Sequence, residues 1–320
     1  METYQELKKE IPAVQEGVLL KNYTTYKIGG PAKYFLVAKT EEDLIFALKS
    51  AKKLKLPVFI LGGGSNVLIS DKGFNGLAIK INICQENFQG AEVLAGAGVS
   101  LTKLSYLLAE KGLSGLEWAA GMPGTVGGAI YGSAQAFGSK MSEIIKSVQA
   151  VDLRTLQVRD FTNEQCEFFS KNSLFKKNKN LIIISAILQF EHKNPEEIKN
   201  RIKENIQYRK AKHPMEFPSV GSVFINPEVI IKNKKLLERF PELIIFNRNR
   251  VIPAGYLIAK AGLAGKRHGN AQISEKHSNF IINLGGASSG DILSLIKSAQ
   301  SGVKKSFGLK LEPEVQMVGF

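Results

Sequence analysis

Two glycine-rich loops contain the residues whose types and spacing could do chemistry most directly. The first reads LGGGSN at residues 61–66 and follows a short apolar stretch, and the second reads AGMPGTVGGA at residues 120–129. Consecutive glycines let the backbone turn tightly and direct several N–H groups at one anion. Two such loops, each beside a predicted strand, favour one extended, phosphate-bearing cofactor held between them. The candidate cofactor-binding residues are Gly62, Gly63, Gly64, Ser65, Asn66, Gly121, Gly124, Thr125 and Gly128.

Neither loop matches a common nucleotide-binding motif. The first loop runs into the apolar segment 67–70 (VLIS) and not into a helix, which argues against a Rossmann fingerprint. The chain has no GxxxxGKS/T sequence, so a P-loop is excluded as well. Structural readings stay open for both loops. The first could be an ordinary β-turn. In the second, Gly124, Gly128 and Gly132 recur every four residues and predict a bare helical stripe that a flat or bulky group can approach closely, with tight helix–sheet packing as the alternative.

Histidine and cysteine spacing predicts no metal site and no disulfide. The four histidines are His192, His213, His268 and His277. They form no i, i+4 pair and no HExxH motif, and Cys84 and Cys166 lie far apart in the chain. A GxSxG elbow is also missing, so an α/β-hydrolase triad has no support.

The charge balance favours an anionic partner. The 320 residues include 43 Lys and Arg against 29 Asp and Glu, a formal net charge of +14. Nucleic acid, an anionic membrane or a phosphate-bearing small molecule would each suit this surplus. No run approaches the roughly 18 apolar residues of a membrane span, and the charged start METYQELKKE does not resemble a secretory signal. We expect a soluble protein of a reducing compartment, without membrane insertion. Nucleic-acid binding remains possible but lacks an aromatic RNP signature or a zinc finger.

Hydrophobic periodicity predicts alternating strands and helices, and therefore an α+β protein of two or three lobes. The predicted strands are 33–38, 58–61, 67–70, 77–83, 92–99, 148–153, 158–161, 181–190, 280–284 and 309–318. The predicted helices are 41–54 after a Thr40 cap, 100–111 before Gly112, 196–210, 254–261 and 291–305. The pair Asn194-Pro195 is a plausible lobe boundary.

Six motifs, in the correct order from about residue 20 to the end, resemble the bacterial UDP-N-acetylenolpyruvoylglucosamine reductase family. They are NYTTYKIGGPA (22–32), LGGGSNVLISD (61–71), GLEWAAGMPGTVGGAIYG (115–132), KHPMEFPSVGSVFINP (212–227), AQISEKHSNFIIN (271–283) and LEPEVQMVG (311–319). The chain resembles the shorter subtype of this family, which lacks a long insertion in the third lobe.

The resemblance implies an FAD-binding fold of the vanillyl-alcohol-oxidase (PCMH) type, with two flavin subdomains and a third α+β lobe for a UDP-sugar. The expected ranges are 1–80 and 81–195 for the subdomains and 196–308 for the substrate domain, and a strand in 309–320 could return to the first subdomain. The resemblance further implies FAD as cofactor, NADPH as reductant, and reduction of UDP-N-acetylenolpyruvoylglucosamine to UDP-N-acetylmuramate for peptidoglycan. We expect the FAD to be non-covalent, no nucleic acid to be bound, and the protein to be a monomer in the cytoplasm.

The resemblance also assigns roles to five residues. Ser222 matches the serine that gives a proton to C2 of the substrate, and Glu314 the carboxylate that stabilises the enolate together with a cation. Asn226 and Lys212 match substrate-binding residues, and Lys171 stands where the family has a catalytic arginine. From the residues alone, Ser222 could be a turn hydroxyl and Lys171 part of a solvated basic run.

Several positions depart from the family pattern. Besides Lys171, Ser133 and Gln135 replace Asn and Gly, Ile225 replaces a lysine, and Phe246 replaces a tyrosine. The alternatives are therefore another FAD oxidoreductase of this fold, a poorly active homologue, or a basic nucleic-acid-binding protein with structural glycine loops. Many oxidases of this fold tether the flavin through His or Cys, and this chain has no histidine before His192.

Overall fold

The structure is a computed structural model that describes residues 2–320. Within these residues the α-helices are α1 (Glu2–Glu10), α2 (Glu41–Lys53), α3 (Leu101–Glu110), α4 (Val126–Tyr131), α5 (Leu174–Lys177), α6 (Pro195–Lys212), α7 (Lys234–Arg239), α8 (Glu242–Asn249), α9 (Ala254–Lys260) and α10 (Ser289–Phe307). Among residues 2–320, no helix combines the length and apolar character that crossing a membrane would require.

The same residues form short and long β-strands. They are β1 (Gln15–Leu19), β2 (Pro31–Ala38), β3 (Val58–Leu61), β4 (Val67–Ile69), β5 (Phe74–Ile81), β6 (Glu86–Gln89), β7 (Glu92–Gly96), β8 (Leu113–Ser114), β9 (Gln135–Ala136), β10 (Ser139–Lys140), β11 (Ile145–Asp152), β12 (Val158–Thr162), β13 (Leu181–Gln189), β14 (Glu191–His192), β15 (Arg267–His268), β16 (Ala271–Ile273), β17 (Ile281–Asn283) and β18 (Gln316–Val318). The predicted α+β class is confirmed.

The chain divides into two compact units. The first comprises the residues up to Leu19, Pro31–Gly64 and Gly73–Arg209, and the second comprises Leu20–Gly30, Ser65–Lys72 and Lys210–Phe320. The three-part division at residues 80 and 195 stays a prediction.

Two larger sheets, together with the two-stranded sheets β9-β10 and β8-β14, build the first unit. One has the order β1-β2-β5-β3, in which β2 and β3 both run parallel to β5 and β1 runs antiparallel to β2. The other is antiparallel throughout, in the order β12-β11-β13-β7-β6. A single apolar core runs from α1 to the end of β13 and includes the faces of α2 and α3. Both glycine loops therefore adjoin elements of the first unit: the first loop follows β3, and the second leads into α4, which packs on this core.

Helix α6 packs with the first unit, whereas the sequence placed it in the substrate lobe. Ile198 and Ile202 are buried against Ala109 and Ala120. Farther along the same helix, the Asn205 Nδ2 donates to the Glu117 carbonyl at 3.1 Å. The helix thus stays with the first unit because its apolar face has partners there.

The second unit has its own core around α10 and the antiparallel sheet β15-β16-β17. Strand β18 runs parallel to β4, with Met317 opposite Leu68. The expected C-terminal strand over 309–318 is much shorter in the structure. Pro313 forms only an isolated bridge, to Phe224, because proline has no N–H to extend a ladder.

Candidate functional site

The two glycine loops touch each other through their backbones in the first unit. A Cβ atom on Gly63 would lie 2.7 Å from the Gly124 Cα, closer than side chains are found to approach. A Cβ on Gly62 would lie 3.0 Å from the Thr125 Oγ1. Gly124 has a φ of +150°, which a residue with an L side chain rarely adopts. Glycine is therefore required at Gly63 and Gly124 for the loops to meet.

Around this contact several backbone donors remain available. The N–H groups of Gly63, Gly124 and Thr125 donate to no other part of the described chain, residues 2–320. The Thr125 Oγ1 instead accepts from the Gly128 N–H at 3.4 Å and caps α4. A narrow backbone cradle with unused N–H groups suits the oxygens of a diphosphate. The residues present therefore fit a dinucleotide cofactor such as FAD.

The expectation of a glycine stripe along a helix is wrong. Helix α4 spans only Val126–Tyr131, so Gly124 precedes it and Gly132 is its C-cap. The close packing falls on Gly127, where a Cβ would lie 2.7 Å from the Ala97 Cβ, and Gly128 is exposed. The periodicity misled because the helix ends after six residues.

The remaining predicted cofactor residues lie at the edges of these loops. Gly64 and Gly121 have φ values of +66° and +75° and allow each loop to turn. Ser65 and Asn66 belong to the second unit. There the Asn66 Nδ2 donates to the Glu314 carbonyl at 3.3 Å, and the Asn66 carbonyl accepts from the Gln316 N–H.

Lys80 is a neighbour of the first loop that sequence reasoning missed. Its Nζ donates to the Gly62 carbonyl at 2.7 Å and to the Ile81 carbonyl at 3.3 Å. Burial lowers the pKa of this ammonium group below its ordinary value. The available signal was a single charged residue in strand β5, between the buried Ile79 and Ile81. Lys80 places positive charge directly behind the loop.

Arg209, on helix α6, is a second residue of this site that sequence reasoning missed. It is 8% exposed, and its Nη2 donates to the Trp118 carbonyl at 2.9 Å. Burial lowers the pKa of this guanidinium group. A Cβ on Gly121 would lie 3.6 Å from the Arg209 Cδ. Arg209 thus supports the start of the second loop.

Ser222 and Glu314 lie on neighbouring segments of the second unit. The Glu314 N–H donates to the Val223 carbonyl at 2.7 Å, and the Ile225 N–H donates to the Glu312 carbonyl at 2.9 Å. Ser222 and Glu314 are half-buried, whereas Glu312 is exposed. The backbone therefore brings the predicted serine and carboxylate segments together over a sequence separation of about ninety residues.

Lys171 occupies a tight turn of the first unit. Its φ is +57°, its carbonyl accepts from the Lys176 Nζ at 2.8 Å, and an isolated bridge joins Phe169 to Asn172 around it. Lys171 is half-buried, whereas Lys177 and Lys179 in the same basic run are exposed. This turn sets Lys171 apart from the solvated lysines that follow.

The two predicted substrate-binding residues have different surroundings. Lys212 is the exposed last residue of α6. Asn226 accepts from the Ala254 N–H through its Oδ1 at 2.9 Å, so its side chain also holds the start of α9. Phe246, which replaces a tyrosine, packs edge-on against Tyr256 at 5.0 Å between ring centroids. Among the side chains that the structure describes, those of residues 3–320, no three from His, Cys, Asp or Glu are grouped to hold a metal ion.

Comparisons with known proteins agree with these features. Residues 32–159 match the model of an FAD binding domain, and residues 213–318 match that of the UDP-N-acetylenolpyruvoylglucosamine reductase C-terminal domain. The reductase of Anoxybacillus flavithermus is 36% identical over 98% of this chain and 97% of its own length. The reductase of Alkaliphilus oremlandii is 37% identical over 100% and 98%. A crystal structure of the Thermus caldophilus reductase superposes with a TM-score of 0.76 at 31% identity, covering 95% of this chain and 98% of that one.

Proposed function

The chain belongs to the UDP-N-acetylenolpyruvoylglucosamine reductase family, and on that premise we propose how its own residues serve the family's reaction. It is an FAD-dependent oxidoreductase with an FAD-binding fold of the PCMH type. It reduces UDP-N-acetylenolpyruvoylglucosamine to UDP-N-acetylmuramate for peptidoglycan synthesis, with NADPH as reductant. The observation that carries the assignment within the structure is the backbone contact of Gly63 with Gly124.

The glycine cradle would hold the cofactor. The free N–H groups of Gly63, Gly124 and Thr125 would donate to the diphosphate oxygens, with the Lys80 ammonium behind the Gly62 carbonyl. Bound FAD supplies hydride chemistry, from NADPH to C3 of the enolpyruvyl ether. The chain's contribution is to bind, to orient and to manage charge and protons.

Ser222 would supply the proton that completes the reduction. Its O–H bond breaks as a C–H bond forms at C2 of the substrate, and the hydroxyl is later reprotonated from solvent. Support comes from its half-buried place on the segment paired with Glu314. Glu314, together with a cation, would stabilise the negative charge that moves onto the substrate carboxyl group.

Lys212 and Asn226 would bind the substrate. The exposed Lys212 ammonium suits the UDP diphosphate as a point charge. With its Oδ1 bonded to the Ala254 N–H, Asn226 would use its amide Nδ2 as a donor to the substrate. We further propose that the protein acts as a monomer in the cytoplasm. Size-exclusion chromatography with light scattering tests the oligomeric state.

FAD should be bound without a covalent tether. The chain has no histidine before His192, and Cys84 and Cys166 both lie outside the glycine loops. Precipitating the purified yellow protein with acid should release all of the colour into the supernatant. Colour that stays in the pellet would contradict the assignment of non-covalent FAD.

Lys171 should act through its charge, as the family arginine does, but without a bidentate fork. Replacing Lys171 with Met is expected to lower turnover by at least about tenfold, the loss of roughly one charge-assisted hydrogen bond. Lys171→Arg should be tolerated or improve the rate. Turnover is measured as NADPH oxidation at saturating substrate.

The matched control for Lys171 is Lys177→Met. Lys177 lies in the same basic run but is exposed, and its Nζ pairs with Glu167 at 2.8 Å. Small and equal losses in the two variants would assign Lys171 to the solvated face and remove it from the reaction.

The proposed function is tested by NADPH oxidation with and without UDP-N-acetylenolpyruvoylglucosamine. The holoenzyme should oxidise NADPH rapidly only when this substrate is present. Oxidation that does not respond to the substrate would instead favour another oxidoreductase of the same fold.

A further inference from the structure

A buried asparagine, Asn279, holds the segment that carries Ser222. The Asn279 Oδ1 accepts from the Phe224 N–H at 3.0 Å, and its Nδ2 donates to the Phe224 carbonyl at 2.9 Å. The Asn279 carbonyl also accepts from the Val223 N–H at 2.8 Å. Three hydrogen bonds therefore join one residue to two consecutive backbone units, both immediately after Ser222.

The opposite side of the segment is fixed by the chain near Glu314. The Val223 carbonyl accepts from the Glu314 N–H, and the Ile225 N–H donates to the Glu312 carbonyl. Every backbone polar group of Val223 and Phe224 is thus bonded. Ser222 is the residue at which this fixed segment becomes partly exposed. Its hydroxyl is carried on a backbone held from two sides.

Asn279 is itself fixed by the turn that contains it. Its N–H donates to the His277 Nδ1 at 3.3 Å, and the His277 N–H donates to the Ser274 Oγ at 3.3 Å. The His277 ring packs on Phe280 with centroids 4.8 Å apart. Burial lowers the pKa of His277, which favours the neutral ring that can accept at Nδ1. Asn279 is 3% exposed, so water does not compete for its amide.

We propose that Asn279 is a positioning residue for proton delivery, holding Ser222 at the place where its hydroxyl meets the substrate. This inference rests on the proposed function, in which Ser222 is the proton donor. A displacement of about 1 Å at a catalytic group can cost about 10²-fold in rate. Asn279 touches neither substrate nor cofactor in this account and acts only through the backbone of Val223 and Phe224.

The test is the variant Asn279→Asp, in which an oxygen replaces the side-chain NH₂ group. The carboxylate keeps an acceptor for the Phe224 N–H but turns an oxygen toward the Phe224 carbonyl, where the amide had donated. In the holoenzyme, reduction of bound FAD by NADPH should stay within about twofold of the parent. Single-turnover product formation, measured after that reduction, should fall by about 10- to 100-fold. A rise in KM alone, with product formation unchanged at saturating substrate, would overturn the proposal.

Asn283→Asp is the matched control. Asn283 is also 3% exposed, and its Nδ2 likewise donates to a carbonyl, that of Tyr26, at 2.9 Å. Its Oδ1 accepts from the N–H groups of Gly285 and Ala287, so its side chain bonds no residue of 222–225. This variant should lose stability similarly while keeping the ratio of the two half-reaction rates within about twofold. The same selective loss in Asn283→Asp, or an equal fall of both rates in Asn279→Asp, would overturn the proposal.

Hydrogen exchange in the parent holoenzyme tests the same proposal without requiring a variant that folds. Hydrogen exchange should show the Val223 and Phe224 amides protected by at least about 10²-fold relative to Gly221. An unprotected Phe224 amide would contradict the proposal that Asn279 fixes this backbone segment. Failure of the proposed role of Ser222 can be told apart from failure of the role of Asn279. If Ser222 is not the proton donor, Ser222→Ala will not slow product formation selectively, whatever the effect of Asn279→Asp.

Discussion

Replacing Ser222 with alanine is expected to leave reduction of bound FAD by NADPH nearly unchanged while product formation falls by about 10²–10⁴-fold, the range typical of a general acid. A serine that only delivers the final proton takes no part in the first half-reaction, so the two halves should separate. Stopped-flow loss of the flavin absorbance on adding NADPH measures the first half. Product formed after mixing the reduced enzyme with substrate measures the second.

Ser219→Ala is the control for this prediction. Ser219 is half-buried in the same loop, three residues before Ser222. The substitution removes a serine hydroxyl, as Ser222→Ala does. Both half-reactions should stay close to those of the parent. If Ser222→Ala slows both halves equally, its hydroxyl is structural and the assigned role is wrong.

A methyl group at Gly63 should weaken FAD binding. Because its Cβ would lie 2.7 Å from the Gly124 Cα, the two loops of Gly63→Ala must move apart. Forcing an extra methyl into a tightly packed place costs typically about 1–3 kcal/mol, which is about five- to 150-fold in the dissociation constant if all of it falls on FAD binding. The change in flavin fluorescence when the apoprotein is titrated with FAD measures this dissociation constant.

Gly132→Ala provides the comparison. A Cβ there would meet only the Gly128 carbonyl oxygen, at 3.4 Å, and the residue has no positive φ. FAD affinity should stay within about twofold of the parent in this variant. An unchanged FAD affinity in Gly63→Ala would show that the contact between the loops does not hold the cofactor.

Local signals predicted the individual elements well. Thr40 caps α2 as expected. It also forms a capping box with Asp43, whose side chain accepts from the Thr40 N–H at 3.2 Å while the Asp43 N–H donates to the Thr40 hydroxyl at 3.1 Å. Gly112 ends α3 with a φ of +65°, as its position after the apolar repeat indicated. These features depend on residues within a few positions of each other, which is why the sequence alone reveals them.

Contacts between distant residues could not be predicted from spacing. Nothing in the sequence indicates that Gly63 meets Gly124, or that Asn279 bonds Phe224, because both pairs depend on how the chain returns in three dimensions. The burial of Arg209 was not predicted for the same reason, since it depends on a contact with the distant Trp118 carbonyl. The roles of the site residues came from the resemblance, which supplied the long-range information that periodicity lacks.

The most direct test of the central claim is the mass of the sugar nucleotide after turnover. The FAD-loaded protein is incubated with UDP-N-acetylenolpyruvoylglucosamine and one equivalent of NADPH, and the nucleotide product is analysed by mass spectrometry. The account predicts UDP-N-acetylmuramate, two hydrogen atoms heavier than the substrate, with one NADPH consumed for each molecule formed. Full consumption of NADPH with the enolpyruvyl sugar recovered unchanged would contradict it.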